Sequence, residues 1–337
     1  MWALVDKWDK TNGFETESGN IMKTYKFPVG EMPAIGLGTW KMENGTATDA
    51  VKTALELGYR HIDCAPIYLN EPDVGAAFES VFQQGNVKRS DVWVTSKLWC
   101  NRHRPDLVKE ALEATLADLK LDYLDLFMIH WPIVFRADVH RPEKPEDFIS
   151  LEQMPIIDTW RALEICVDAG LCRNIGVCNF SVKKLKSLLP ECRIKPSANQ
   201  VECHPFLPQT ELLEFCKGEG IQLVSYSPLG SGDRPERMRG ETDPNLFEHA
   251  VILDIAKRRQ ISAGQVMLAW AVSRESAAIP KSSNPKRMVD NLLANEIELT
   301  SLEMEALNSI EILHRYVHGR FWEMPGSPYT VANLWDE

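Results

Sequence analysis

Several features are missing from this 337-residue sequence. No apolar run approaches the ~20 residues of a membrane span. The opening MWALVDKWDK breaks any secretion-signal core with Asp6, Lys7 and Asp9. The 8 cysteines are scattered, with no CxxC pair and no zinc-like Cys/His spacing. Reduced thiols, a cytoplasmic setting and no bound metal are therefore expected, and a disulfide scaffold is not. Positive charge is short as well, since 37 Lys+Arg against 48 Asp+Glu leave a net −11. Nucleic acid and anionic membrane surfaces demand positive charge and are poor candidates for main partners. A small molecule is the expected partner. No Pro/Gly/Ser-rich linker divides the chain, so one domain over 21–337 is expected after a polar extension at 1–20.

What is present is a repeating pattern. In the extension, Trp2, Val5 and Trp8 suit a short docked helix as well as a mobile tail. TYKFPVGEMPAI reads as two short strands around a turn. From Ala34 the strand candidates are AIGLGT, RHIDC, DVWVTSK, LDLFMIHW, CRNIGVC, PSANQ, IQLVSYS and AAIPK. Each precedes a helix-spaced segment such as TATDAVKTALELG or DLVKEALEATLADLK. An insertion separates IQLVSYS from its helix, SAGQVMLAWAVSRES. The strands are short, apolar and mostly not alternating, as when helices cover one face and a packed interior the other. Eight such units suit an α/β fold of the closed (β/α)8 TIM-barrel type, with an open doubly wound sheet as the alternative.

Sites in such barrels gather where strands end. The proposed strands end in Asp63, Lys97, His130, Asn179, Gln200, Tyr226 and Lys281, a poor set for a core. Five residues after Asp63 comes Tyr68, in a loop marked by Pro66 and Asn70. Asp63 would pair with Lys97, and the ammonium would lower the Tyr68 pKa from about 10 toward neutrality. A phenol so tuned can donate a proton, with His130 bonding the oxygen that receives it. Singly, these residues have plainer readings. Asp63 and Lys97 could be a structural ion pair, and His130 a hydrogen-bonded core histidine. Trp40, Trp99 and Trp131 could be packing, and KSSNPKR a capped helix start.

With these residues in place, the sequence resembles the aldo-keto reductase superfamily from about Tyr25 to Glu337. GYRHIDCA with Tyr68 and Glu71, VTSKLW, IHWP, IGVCNF, NQVECHP, SYSPLGSGDRP and IPKSSNPKR fall in family order. The details are similar to the aldehyde reductase and aldose reductase branch, with an ending, FWEMPGSPYTVANLWDE, like that of microbial members. The resemblance implies a barrel with an N-terminal β-hairpin and a C-terminal substrate-side loop. It implies a monomeric enzyme that reduces aldehydes and some ketones with NADPH, returning NADP+. Asp63, Tyr68, Lys97 and His130 would be the catalytic tetrad. Trp40, Trp99, His130 and Trp131 would meet substrate.

GLGTWK has Gly36 and Gly38 but lacks the third glycine of GxGxxG, so the dinucleotide must be gripped elsewhere. Lys281, Ser282, Asn284 and Arg287 of KSSNPKR combine donors with a helix start, which suits a phosphate. By resemblance this is the 2′-phosphate site, with Asp290 and Asn291 at the adenine. Cys178, Asn179 and Gln200 would hold the carboxamide, and Tyr226 would stack on the nicotinamide. Ser227, Leu229 and Ser231 would follow the pyrophosphate, and Thr39, Trp40 and Asp63 complete the cofactor set.

Three positions depart from the family pattern. Cys178 stands where many relatives have Ser, and Asp290 where Glu is usual. Glu236 replaces a common Trp and should make that wall more polar. Phe321, Trp322 and Tyr329 are open between packing and substrate contact. An aromatic pocket should favour aromatic and medium-chain aldehydes over highly charged ones. Two rivals share the fold. One is a cofactor-binding protein without catalysis, which an intact tetrad disfavours. The other is a steroid double-bond reductase, whose members carry Glu in place of His130.

Overall fold

A computed structural model describes residues 22–43, 45–240 and 242–337. The extension at 1–20, with Trp2, Val5 and Trp8, lies outside the described residues. Strands β1 (Thr24–Lys26) and β2 (Glu31–Pro33) form the expected antiparallel hairpin. Its turn closes with Phe27 N donating to Gly30 O at 3.0 Å, and Gly30 takes the positive φ that a side chain would resist.

Eight parallel strands follow. They are β3 (Leu37–Gly38), β4 (His61–Asp63), β5 (Trp93–Leu98), β6 (Leu124–Ile129), β9 (Cys172–Cys178), β10 (Ala198–Glu202), β11 (Gln222–Tyr226) and β12 (Ala277–Ala278). The first and last meet through a parallel bridge between Ile35 and Ala278. Gly36 N donates to Ala278 O at 2.9 Å and Gly38 N to Pro280 O at 3.1 Å, so the sheet is a closed barrel. Another short hairpin, β7 (Val134–Phe135) with β8 (Phe148–Ile149), stands in the long loop after β6.

The helices are α1 (Thr46–Glu56), α2 (Glu71–Gln84), α3 (Pro105–Leu119), α4 (Ile156–Asp168), α5 (Val182–Leu188), α6 (Thr210–Glu219), α7 (Ala250–Arg259), α8 (Ala263–Ser273), α9 (Pro285–Leu293), α10 (Ser301–Asn308) and α11 (Val331–Trp335). Helix α1 shows why they form, since Ala47, Ala50, Val51, Ala54 and Leu55 make one buried stripe at i, i+3, i+4 spacing. Helix α8 is buried from Gly264 to Val272 and starts in a Ser262–Gln265 capping box. The insertion after IQLVSYS contains α7, a helix that the sequence reading did not separate from the loop.

Two apolar clusters bracket the site. The barrel interior holds Met32 from the hairpin together with Trp93, Leu126, Met128 and Val224, so the end away from the strand tips is plugged. Asn174 of β9 fixes that plug, donating from Nδ2 to Val29 O at 2.8 Å. Above the strand tips, Trp131, Phe135, Phe148, Trp322, Tyr329 and Trp335 pack into a second cluster. These six come from the loop after β6 and from the chain beyond α10. No helix among the described residues is long and apolar enough to cross a membrane.

Candidate active site

The site is built from the tips of the strands upward. Asp63 ends β4 and Lys97 is the next-to-last residue of β5. Both point inward and are about 1% exposed. Lys97 Nζ donates to Asp63 Oδ1 at 2.6 Å, to Cys64 O at 2.9 Å and to Tyr68 OH at 3.5 Å. The other carboxylate oxygen accepts from Gln200 Nε2 at 2.8 Å. Gln200 lies in the middle of β10, with its side chain turned to the same centre. His130 follows β6 directly, its ring 5.9 Å from that of Tyr68 at 83°. Asn179 follows β9 with φ 63°, donating to His130 O at 2.9 Å and accepting from Tyr226 OH at 2.9 Å.

Burial works against the Lys97 charge, but Asp63 outweighs it and holds the amine above its usual pKa. Tyr68 is half-buried on the cleft, with its hydroxyl toward Lys97. Burial raises its pKa, Lys97 opposes this, and Asp63 gives back part of what Lys97 removes. The expectation of a phenol tuned toward neutrality is therefore corrected, because Asp63 neutralises the tuning charge and burial prevails. Tyr68 is a protonated phenol at neutral pH. His130 is pushed well below the usual imidazole range by burial, then by Lys97 and His103. It is a neutral ring, and its buried Nδ1 has no protein partner.

These groups face a cleft of about 840 Å³ across the mouth of the barrel. Trp40, Asp63, Tyr68, Trp99, His130 and Trp131 line it. So do Cys178, Asn179, Gln200, Tyr226, Ser227, Leu229, Ser231, Lys281, Ser282, Arg287 and Asn291. Thr39, Lys97, Asn284 and Asp290 do not. Lys97 stands behind Tyr68. Thr39 turns inward, its Oγ1 donating to Asp63 O at 2.9 Å. Asn284 caps α9, accepting from Arg287 N at 3.1 Å. The plain reading of that residue as a cap is the one observed. The Cys178 thiol lies 3.9 Å from the Met128 sulfur, half in the barrel interior.

Other differences have physical causes. Lys281 Nζ meets Asp233 Oδ2 at 2.8 Å, so one of its three N–H donors is engaged. Lys41 pairs with the same carboxylate and donates to Ser231 Oγ at 2.8 Å. This bridge over the cleft links positions 192 and 48 residues apart, and no local signal in the sequence predicts it. Glu236 is exposed, and Met238 of the same turn lines the cleft. Phe321 and Trp322 reach the cleft. Tyr329 is packing, bonded to Val134 N at 3.0 Å and Ile149 O at 2.6 Å.

The donor set fits a nicotinamide dinucleotide. Among the described residues Gln200 Oε1 has no hydrogen-bond partner, and Tyr226 lines the cleft. Among the described residues the Arg287 guanidinium has no partner, and it sits near Ser282 and Asn291.

A closed (β/α)8 barrel with a polar cleft at its strand tips is an enzyme architecture. The chain belongs to the Aldo/keto reductase family, which residues 34–312 match. It is 51% identical over 319 residues to an aldo/keto reductase of Synechocystis, covering 94% of this chain and 98% of that one. It is 42% identical over 289 residues to human aldo-keto reductase family 1 member A1, covering 85% and 88%. Aldose reductase from Schistosoma japonicum superposes with a TM-score of 0.81 at 35% identity, covering 89% and 96%. The protein is a nicotinamide-dependent oxidoreductase acting on carbonyl groups.

Proposed function

We propose that this chain reduces aldehydes, and some ketones, to alcohols with NADPH, and that Tyr68 donates the proton. The observation that carries the reading is the Tyr68 hydroxyl, 3.5 Å from a buried ammonium that is itself locked to Asp63 at 2.6 Å. When bound, the nicotinamide supplies the hydride that the carbonyl carbon accepts. The chain's residues handle the oxygen. Neutral His130 orients it by hydrogen bonding, and Tyr68 delivers a proton as charge develops there. The Lys97 ammonium then stabilises the phenolate left behind, and Asp63 keeps that ammonium in place. Tyr68 is thus not ionised in advance, and Lys97 acts on the product of proton transfer.

Asn179 and Gln200 would orient the carboxamide, with Tyr226 beneath the ring. Ser227, Leu229 and Ser231 would follow the pyrophosphate. Two lysines against Asp233 leave one net positive charge over the cleft, and Arg287 adds a second beside Ser282. That balance supports NADPH over NADH.

The test is NADPH oxidation with a neutral aromatic aldehyde, followed by absorbance, for the wild type and Tyr68→Phe. Loss of about 10²–10⁴-fold in kcat with the NADPH Kd kept within threefold is expected. Turnover of Tyr68→Phe within a few-fold of wild type would remove the phenol from the mechanism.

A further inference from the structure

The loop after β11 lies along the cleft in a conformation that its own residues do not favour. Ser227, Leu229 and Ser231 line the cleft, and Asp233 takes the bridge from Lys41 and Lys281. Ser227 and Ser231 have φ of 46° and 48°, in the left-handed region where a Cβ is crowded. Gly230 N closes one turn on Ser227 O at 2.8 Å, and Arg234 N closes the next on Ser231 O at 3.0 Å. Such a loop keeps its shape only when its surroundings impose it.

Those surroundings are a buried arginine and a buried tyrosine. Arg234 Nη1 donates to Ser231 O at 3.2 Å and Nε to Met238 O at 3.0 Å, while Nη2 pairs with Asp243. The guanidinium carbon lies 4.7 Å from the centre of the Tyr316 ring. Tyr316 OH donates to Pro244 O at 2.8 Å, near the far end of the same loop. The ring also abuts Gly230, where a Cβ would lie 3.1 Å from Tyr316 Cε2. Tyr316 thus meets the loop at Gly230, Arg234 and Pro244, yet it is not on the cleft lining. Its own backbone is fixed from β10, since Tyr316 N donates to Glu202 Oε1 at 2.6 Å.

We propose that Tyr316 is a positioning residue for the cofactor: its ring and hydroxyl hold the loop after β11 in the shape that lets Asp233 close over the dinucleotide. The proposal rests on the cofactor placement given above and adds what keeps the dinucleotide from leaving. An arginine stacked on a tyrosine out of water is a stiff contact, because the planar guanidinium cannot turn away without losing both the ring face and its hydrogen bonds. Without the ring, Arg234 and the two left-handed serines can relax. Asp233 directly precedes Arg234 and moves with it. The dinucleotide then escapes faster, although no residue assigned to its binding has changed.

The experiment measures NADPH dissociation from the full chain by stopped-flow fluorescence. The proteins are the wild type, Tyr316→Phe, Tyr316→Leu, Asp233→Asn and the double variant Asp233→Asn/Tyr316→Leu. Tyr316→Leu should release NADPH about 5- to 10-fold faster. Tyr316→Phe keeps the ring on Arg234 but loses the Pro244 bond, and should release it about 2- to 3-fold faster. Asp233→Asn already weakens the bridge, so adding Tyr316→Leu to it should change the rate by less than about twofold. For a neutral aromatic aldehyde at saturating NADPH, kcat/KM of Tyr316→Leu should stay within about twofold of wild type, because Glu202 still holds the backbone there. A dissociation rate of Tyr316→Leu equal to wild type overturns the proposal, and so does the same full increase in both backgrounds. Should Tyr316→Leu not fold, Tyr316→Phe decides, and a wild-type rate for it overturns the proposal. A wild type that binds no NADPH overturns the cofactor reading and the proposal with it.

Discussion

At the scale of single residues, buried charges decide what the site can do. Glu71 shows this away from the reacting atoms. It opens α2, accepts from Ser96 Oγ at 2.6 Å and from Thr115 Oγ1 at 3.2 Å, and is pushed up to about 7 by burial. A carboxyl raised on folding favours the folded state while protonated. Its contribution is complete below the unfolded pKa of about 4.5 and is lost as pH rises through 7. The swing is on the order of 3 kcal/mol. Glu71→Gln should flatten this slope, so urea midpoints at pH 5 and pH 7.5 should differ less in the variant than in the wild type. An unchanged difference would mean that Glu71 is ionised throughout. The cofactor preference is also a residue-scale matter. Arg287→Ala should weaken NADPH about 10-fold or more and NADH by less than threefold, as read by fluorescence titration. Equal losses would show that Arg287 does not read the phosphate. The grouping of Asp63, Lys97 and His130 was legible in the sequence because each sits at or beside a strand tip, with Tyr68 in the loop that follows Asp63. The direction of the Tyr68 shift was not, because it depends on burial and on how far Asp63 cancels Lys97.

At the scale of elements, the pocket is an assembly of pieces that do not pair in sequence. Strand β10 gives Gln200 to the centre and, two residues on, Glu202 to the tail. The Glu202 carboxylate is fully buried and accepts from Tyr316 N at 2.6 Å, Val317 N at 2.7 Å and His204 Nε2 at 2.9 Å. Burial raises its pKa, but His204 and the two backbone donors outweigh this and hold it low. Val317 lines the cleft, and Phe321 and Trp322 follow it, so Glu202 holds the start of the segment that forms this wall. Glu202→Gln would turn an amide donor toward a backbone N–H. It should cost about 1–3 kcal/mol in thermal denaturation and raise KM for aromatic aldehydes several-fold. Cofactor Kd should stay within twofold, and a KM equal to wild type would show that the tail is held by other contacts. NQVECHP was visible as a motif, yet its task was not, since the partners of Glu202 lie 114 and 115 residues away. Helix α7 was missed for a different reason. Ile252, Ile255 and Ala256 carry a short apolar stripe, but it sits within an otherwise polar insertion.

At the scale of the whole molecule, the barrel was legible because strand and helix patterns alternate eight times, whereas its seam was not. The seam depends on glycine. A Cβ on Gly38 would lie 2.8 Å from Ile279 O, and one on Gly36 would lie 2.6 Å from the His61 ring. Neither neighbour can yield easily, one being backbone and the other a fully packed ring. Gly38→Ala should destabilise by about 1–3 kcal/mol in urea denaturation, with the cooperative transition preserved. A variant as stable as the wild type would show that the seam can open to admit a methyl group.

That seam joins Ile35 to Ala278, and 278 − 35 = 243 positions separate them. A ribosome releases the first of these strands long before the last exists. Until then the N–H groups of Gly36 and Gly38 lack the acceptors on Ala278 and Pro280. The entropy of closing so long a loop is also met before the ladder forms. The first strand therefore has no partner on its outer edge until the residues around Ala278 have been made. Closing the ring requires that late segment, and the same segment carries Lys281 to the cleft.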